Sequence, residues 1–238
     1  MSSKTFYITA GAGNFREKNL DHFLAKGYYR MQHLMFTCND TEVGDDSYSI
    51  PVFWLRTLVQ ECTLQKSATA IIKKCANFSV IIQPAFVDEE IEALYTLYKN
   101  HVPFSVSSSC YNYLHQEIIA NPFNSLMVQV RHKKQLISTG YFDKGLQSIA
   151  GIMNIYHPQY HNYSLGKFMI LQKLEYALLH KMKYYYTGYI STESLRFDYK
   201  TFPDVKAVEV WLPLEQKWVA YHLLGKAFLA DYYLRYLV

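Results

Sequence analysis

A chain of 238 residues, half of them apolar, has enough material for a sizeable core, and its formal net charge of +4 permits a nucleic-acid partner without demanding one. Aromatic usage is high, 22 Tyr and 14 Phe against 10 Gly and 7 Pro, which suits half-buried strands and ring-lined pockets. No run approaches the roughly 18 apolar residues of a membrane helix, and no leader-like segment follows Met1. Cys38, Cys62, Cys75 and Cys110 lie far apart, so neither a disulfide framework nor a metal site is expected, and the cytoplasm is the expected compartment.

Residues 39–49 are acidic and polar and read as a loop. Asp88-Glu89-Glu90 opens a helix running to Lys99: acids occupy its first turn, and Ile91, Leu94, Tyr95 and Tyr98 repeat at helical spacing. Pro and a run of serines at 103–109 form a weak seam, which divides the chain into regions 1–105 and 106–238. A further helix is expected from Tyr111 to Ala120, stopped by Asn121-Pro122.

The period then changes. Leu126 to Arg131 and Gln135 to Phe142 read as strands joined by the basic turn His132-Lys133-Lys134, and Ile149 to Tyr156 reads as a third. Ser164 is positioned to cap a helix from Leu165 to about Lys181, with Ile170, Leu171, Leu174, Ala177 and Leu178 as its core stripe. Tyr184 to Ile190 is an aromatic strand, and the apolar tail from Tyr232 to Val238 is expected to dock on the body or on another chain. Three strands, a helix and a strand resemble the middle of the acyl-CoA N-acyltransferase (GNAT-like) layout. The expected fold class is therefore α+β, a mixed and mainly antiparallel sheet flanked by helices. In that layout the helix N-terminus faces the acyl donor, where unpaired N–H groups attract anions. Ser164, Leu165, Gly166 and Lys167 stand there, but only one glycine is present, which departs from a CoA pyrophosphate loop.

Between residues 156 and 203 a set of short elements falls in one order: Tyr156-His157-Pro158, Ser164-Leu165-Gly166, Leu171 to Glu175, Tyr186-Thr187-Gly188-Tyr189, Glu193-Ser194, Tyr199-Lys200 and Phe202-Pro203. Together they resemble the C-terminal signature of the arginyl-tRNA–protein transferases and the related bacterial leucyl transferases. His157 replaces the usual Asp of the first element, and Arg196-Phe197 stands in place of a Lys-Met pair. Gly27-Tyr28-Tyr29-Arg30 is a weaker N-terminal echo. Family members carry an N-terminal cysteine cluster that binds iron–sulfur or another metal; here only Cys38 lies in that neighbourhood, so no cluster is expected.

The resemblance implies transfer of an amino acid, Arg or Leu, from aminoacyl-tRNA to the α-amine of a protein N-terminus beginning with Asp or Glu. The product would be a degradation signal, and no cofactor is needed beyond the charged tRNA as co-substrate. Such a reaction needs the amine positioned, a proton accepted and an oxyanion stabilised. Glu175 and Glu193 are candidates for the proton or the ammonium. Tyr186 and Tyr189, read as sharing one strand face, are candidates to frame the acceptor or stack the terminal adenosine, whereas Tyr185 reads as packing. Lys167, Arg196 and Lys200 are candidates for phosphates or an acidic side chain. Tyr29, Arg30, Tyr156, Ser164, Leu165, Gly166, Gly188 and Tyr199 complete the expected substrate contacts. A small-molecule or peptide acceptor, a non-catalytic tRNA- or peptide-binding homologue, and an acetyl-CoA enzyme remain the alternatives.

Overall fold

The computed structural model describes residues 6–9, 15–43, 48–104, 106–114 and 121–237. Two sheets account for its strands. β1 (Phe6–Thr9), β3 (Leu34–Thr37) and β2 (Tyr29–Met31) form a small antiparallel sheet in the order β1-β3-β2. The large sheet runs β12 (Lys217–Ala220), β11 (Val208–Leu212), β5 (Tyr48–Leu58), β10 (Tyr184–Ser191), β9 (Ser148–Tyr156), β8 (Gln135–Lys144), β7 (Ser125–His132) and β6 (Ser79–Pro84), with β4 (Asp40–Val43) added to one end of β5. The regions before and after residue 105 both contribute to it: β5 and β6 come from the first, the other strands of that order from the second.

Every pair in the large sheet is antiparallel except β9 with β10, which run parallel. The expected meander, helix and strand are all present: β7, β8 and β9, then α4 (Leu165–Leu179), then β10. The fold is thus α+β and GNAT-like, as the element order implied.

Local sequence accounts for most boundaries. Asp88 caps α3 (Glu89–Lys99) by accepting from the Ile91 N–H at 2.9 Å, and three glutamates follow in the first turn. Residues Lys133 and Lys134 close the β7–β8 hairpin, with Lys133 taking a positive φ of 58°. Residues 39–49 depart from the loop reading, because Asp40–Val43 pairs with Tyr48 to Pro51 of β5. Of the helix expected at 111–120, Cys110–Asn112 forms a short 3-10 turn, and residues 115–120 lie outside the described residues.

The sheet buries side chains on both faces. α4 packs Phe168, Met169, Ile170, Leu174 and Ala177 against Val128, Val130, Phe142 and Ile149. The stripe is wider than its spacing suggested, and it ends one residue early, since Leu178 is exposed. Across the sheet, Ile91, Leu94 and Tyr95 of α3 cover Met127, Leu136, Tyr141 and Ile155. α1 (Glu17–Ala25) and the small sheet pack Leu20, Leu24, Met35 and Phe36 against Trp54, Ala150, Tyr186 and Trp211. Of the tail expected to dock, Tyr232 is buried and Tyr233 packs beside it, while Leu234 is exposed; α5 (Tyr221–Leu237) sets Leu229 and Tyr232 against Phe53, Val208 and Leu212. α2 (Lys66–Lys74) leans on α4, with Ile71 and Cys75 packed into the α4 core. No helix among the described residues is long and apolar enough to cross a membrane.

Candidate active site

The parallel ladder between β9 and β10 lasts only from Ser148–Tyr184 to Ala150–Tyr186. Beyond it β9 continues with β8 alone, and β10 continues with β5 alone. Two irregularities sharpen the parting. Ile152 is an extra residue in β9 opposite Tyr141 and Phe142, and β10 carries one extra residue between Tyr185 and Gly188. A cavity of about 720 Å³ occupies the gap, walled by Gly151 to Tyr156 on one side and by Thr187 to Tyr189 on the other. The small sheet, α3 and the N-terminus of α4 close it.

One end of this cavity is cationic. Lys167, Arg196 and Lys200 line it beside Ser164, Leu165 and Gly166 at the start of α4. Ser164 holds a left-handed conformation (φ 53°, ψ 44°) and makes no side-chain cap, so it turns the chain without closing the first amides. Gly166 has open space where a Cβ would be. The cations rest on rings: Arg196 Cζ lies 3.3 Å from the Phe104 centroid, Lys200 Nζ 4.2 Å from Tyr189, and Lys167 Nζ 5.3 Å from Phe202. Gly188, at φ +109°, makes room for Lys200, whose Nζ would lie 2.8 Å from an added Cβ. Burial first, and then the neighbouring Arg196, push the Lys200 ammonium down to about 7.

The other end is buried and of mixed sign. Arg30 Nη1 meets Asp143 Oδ1 at 2.8 Å and Ser125 Oγ at 2.7 Å, and Arg30 Nε donates to the Gln32 carbonyl at 2.6 Å. Both charged side chains are almost wholly buried. Burial raises the Asp143 carboxyl above its ordinary range, although Arg30 and Ser125 both draw it down. Beside this pair Lys173 of α4 donates to the Tyr141 carbonyl and to Asn154 Oδ1, each at 2.8 Å.

Several buried polar atoms are left without a partner among the described residues, and four belong to side chains lining this cavity: Arg30 Nη2, Asp143 Oδ2, Trp54 Nε1 and Thr187 Oγ1. Buried polar groups are rarely orphaned in folded proteins. A ligand that accepts from a guanidinium and an indole, and donates to a carboxylate, would satisfy them.

Of the residues singled out in the sequence, Tyr29, Arg30, Tyr156, Ser164, Leu165, Gly166, Lys167, Gly188, Tyr189, Arg196, Tyr199 and Lys200 all line the cavity. Tyr29 is fixed by its hydroxyl on the Leu55 carbonyl at 2.5 Å and by stacking on Trp54 at 3.9 Å. Three others lie outside the lining. Glu175 is exposed on α4, and Glu193 is exposed with its carboxylate on the Tyr48 hydroxyl. Tyr186 is buried against Tyr29 and Trp218. The extra residue in β10 sets Tyr189 on the Tyr186 face, as expected, while Tyr185, read as packing, both packs against α4 and lines the cavity. Cys38 also borders the cavity; burial, then Asp40, push its thiol up to about 12, which keeps it protonated.

Sequence reasoning missed Asp143, Asn154, Lys173, Trp54 and Thr187. For Lys173 a signal existed: it falls between Ile170 and Ala177 at core spacing, a place where a charge is unusual.

Residues 90–205 match the family model described as arginine-tRNA-protein transferase, C terminus. An aspartate/glutamate leucyltransferase of Leptospira interrogans is 21% identical over 206 residues, covering 84% of this chain and 77% of that one. One from Campylobacter jejuni is 28% identical over 153 residues, covering 61% and 63%. Among solved structures, FemX aligns over 81% of this chain and 65% of its own at 8% identity, with a TM-score of 0.45. The matched residues 90–205 hold most of α3, the meander, α4, β10 and the cationic end of the cavity, and over that stretch the chain is similar to the arginyl-tRNA–protein transferases, as it is along most of its length to their bacterial leucyl counterparts.

Proposed function

We propose that the protein transfers an amino acid, Leu or Arg, from aminoacyl-tRNA to the α-amine of a protein or peptide N-terminus that begins with Asp or Glu, and so marks it for degradation. The observation that carries this reading is the sorting of charge along one cavity: cations alone beside the α4 N-terminus, and a buried Arg–Asp pair with unpartnered atoms at the other end.

The cationic end suits the 3′ end of the donor. Its phosphates meet Lys167, Arg196, Lys200 and the open amides of α4, and its adenine can stack on the rings that already seat those cations. The mixed end suits the acceptor. Arg30 Nη2 is free to receive a side-chain carboxylate, and Asp143 Oδ2 to receive an α-ammonium. An N-terminal Asp or Glu offers both groups a few bonds apart. The ester carbonyl then lies between, along the free edge of β9, where backbone N–H groups with no strand opposite them are available to an oxyanion.

The donor ties the reaction to the compartment that holds charged tRNA, the cytoplasm. The test is transfer of labelled amino acid from a bulk charged-tRNA pool to peptides that differ only in their first residue. Label confined to Asp- and Glu-peptides is the expected result. Label on no peptide, with charged tRNA bound, would overturn it.

A further inference from the structure

The reaction proposed above has a proton to dispose of, because an α-amine, with a pKa of about 7.7–8.0, is largely protonated at neutral pH. Neither glutamate singled out in the sequence lines the cavity. Lys173 does, and it is the least ordinary side chain in the molecule: a lysine only 1% exposed, on the core face of α4.

Its surroundings favour a neutral amine. The two good acceptors at Nζ are the Tyr141 carbonyl and Asn154 Oδ1, both at 2.8 Å, and the Met153 carbonyl is distant at 3.5 Å. No carboxylate among the described residues forms an ion pair with it. A neutral amine has two N–H groups to give and one lone pair left over, which matches this count; an ammonium would lack a third close acceptor and a carboxylate in direct contact. The Tyr141 carbonyl lies at the irregularity in β9, where Tyr141 pairs with Met153 and Phe142 pairs with Gly151, skipping Ile152, and Asn154 follows in the next pair, opposite Gly140. Gly140 completes the arrangement, since a Cβ there would lie 2.3 Å from Asn154 Oδ1 and 3.2 Å from Lys173 Nζ.

We propose that Lys173 is the proton acceptor for the incoming α-ammonium. The reading rests on the transferase activity proposed above and adds the residue that activates its nucleophile. The acceptor ammonium, held by Asp143, gives one proton to the Lys173 lone pair. The freed amine forms the new C–N bond at the ester carbonyl, and the C–O bond to the tRNA ribose breaks as the second amine proton passes to the departing oxygen. Lys173 then returns its proton to solvent. Atoms and charges balance: an ammonium and an ester become an amide, an alcohol and a proton.

Burial sets Lys173 to this task, holding its ammonium down to about 7 against the pull of Asp143. Asp143 of β8 is the charged group facing it, with Arg30 of β2 paired behind; β9 supplies Asn154 and Tyr156, β10 supplies Tyr185, and His161 precedes α4 in the same wall. Lys200 is similarly depressed, but it lies over the Tyr189 and Phe197 rings beside Arg196, among the groups assigned to donor phosphates, where a bound anion would restore its charge.

The pH profile of kcat/KM for an Asp-peptide tests the assignment. Transfer that uses a neutral lysine and an acceptor ammonium rises through about 7 and falls above about 8. Transfer without a base on the enzyme only rises, through the acceptor's own titration. Wild type should show the first form, and Lys200→Met should keep the limb near 7. Lys173→Met should lose that limb and about 100-fold or more in rate at pH 7, with charged-tRNA binding retained. A monotonic wild-type profile overturns the proposal even if Lys173→Met does not fold. A Lys173→Met variant that loses rate equally at every pH also overturns it, by reducing the residue to packing. A wild-type protein that transfers to no peptide would instead remove the underlying activity, and this assignment with it.

Discussion

The two ends of the cavity hold comparable numbers of charged side chains and use them in opposite ways. At the α4 end, Lys167, Arg196 and Lys200 share one sign, and no carboxylate lies among the cavity-lining residues near them. They are seated on aromatic faces, which leaves their outward N–H groups for an anion. At the far end, Arg30 and Asp143 are paired, buried and backed by Ser125. Lys167 and Arg196, charges held on rings near solvent, attract a phosphate at modest cost and are screened by salt, whereas Lys200 beside them is buried enough to be pushed down to about 7. A buried pair is expensive to assemble, and it repays that cost when a ligand completes its hydrogen bonds. On the proposed assignment, affinity for the donor and selectivity for the acceptor are built by different physics in one cavity.

The comparison breaks most visibly at the buried end. Arg30→Met leaves Asp143 uncompensated, and a loss of about 3–5 kcal/mol in unfolding free energy is expected. Chemical denaturation would measure it, and Arg30→Met with Asp143→Leu should regain most of it. A double variant as unstable as the single would show that the pair is not the source. Proton linkage comes next. Lys173 and Lys200 are both held near 7 in the folded protein, against about 10.4 when unfolded, so the unfolded chain binds more protons between those values. Stability should thus rise with pH across roughly 7 to 10, by at most about 1.4 kcal/mol per pH unit for each lysine, and level off below 7. Unfolding curves at a series of pH values should flatten in Lys173→Met; an unchanged slope would contradict the buried neutral lysine.

The cationic end should give smaller effects. Gly188→Ala places a Cβ against the Lys200 ammonium at a positive φ and is expected to cost about 1–3 kcal/mol in stability, with weaker charged-tRNA binding. Lys167→Ala should be the mildest change. Donor affinity falls a few-fold, and the dependence of log K on log salt loses about one unit of slope, with acceptor preference unchanged. A shift in acceptor preference there would erase the distinction between the ends.

What the sequence revealed divides along the same line. The cationic end was legible because its residues sit in short local elements, Ser164-Leu165-Gly166-Lys167 and Tyr199-Lys200, which fall inside the stretch that matches the family model. The buried end was mostly not. Arg30, Asp143, Asn154 and Lys173 come from β2, β8, β9 and α4, and they meet only because strands far apart in sequence are threaded beside one another. The meander and α4 declared themselves by period, whereas the small β4 pairing was hidden by acidic, loop-like composition. The irregularities in β9 and β10 left no local mark, although they decide where the cavity opens and which way Tyr185 and Tyr189 face.

That opening also has a mechanical consequence. The half of the sheet carrying β6 to β9 and the half carrying β10, β5, β11 and β12 are laddered together over three residue pairs, and elsewhere the gap is bridged by side chains and by α4. A substrate wedged there acts as a keystone, taking up hydrogen bonds that a continuous sheet would have made internally. Occupancy and rigidity are then the same quantity seen twice. Each ligand should raise the unfolding temperature by mass action, by about 2.7 kcal/mol of stabilisation at a hundredfold excess over its Kd. The first ligand to enter should also lower the ordering cost left for the second.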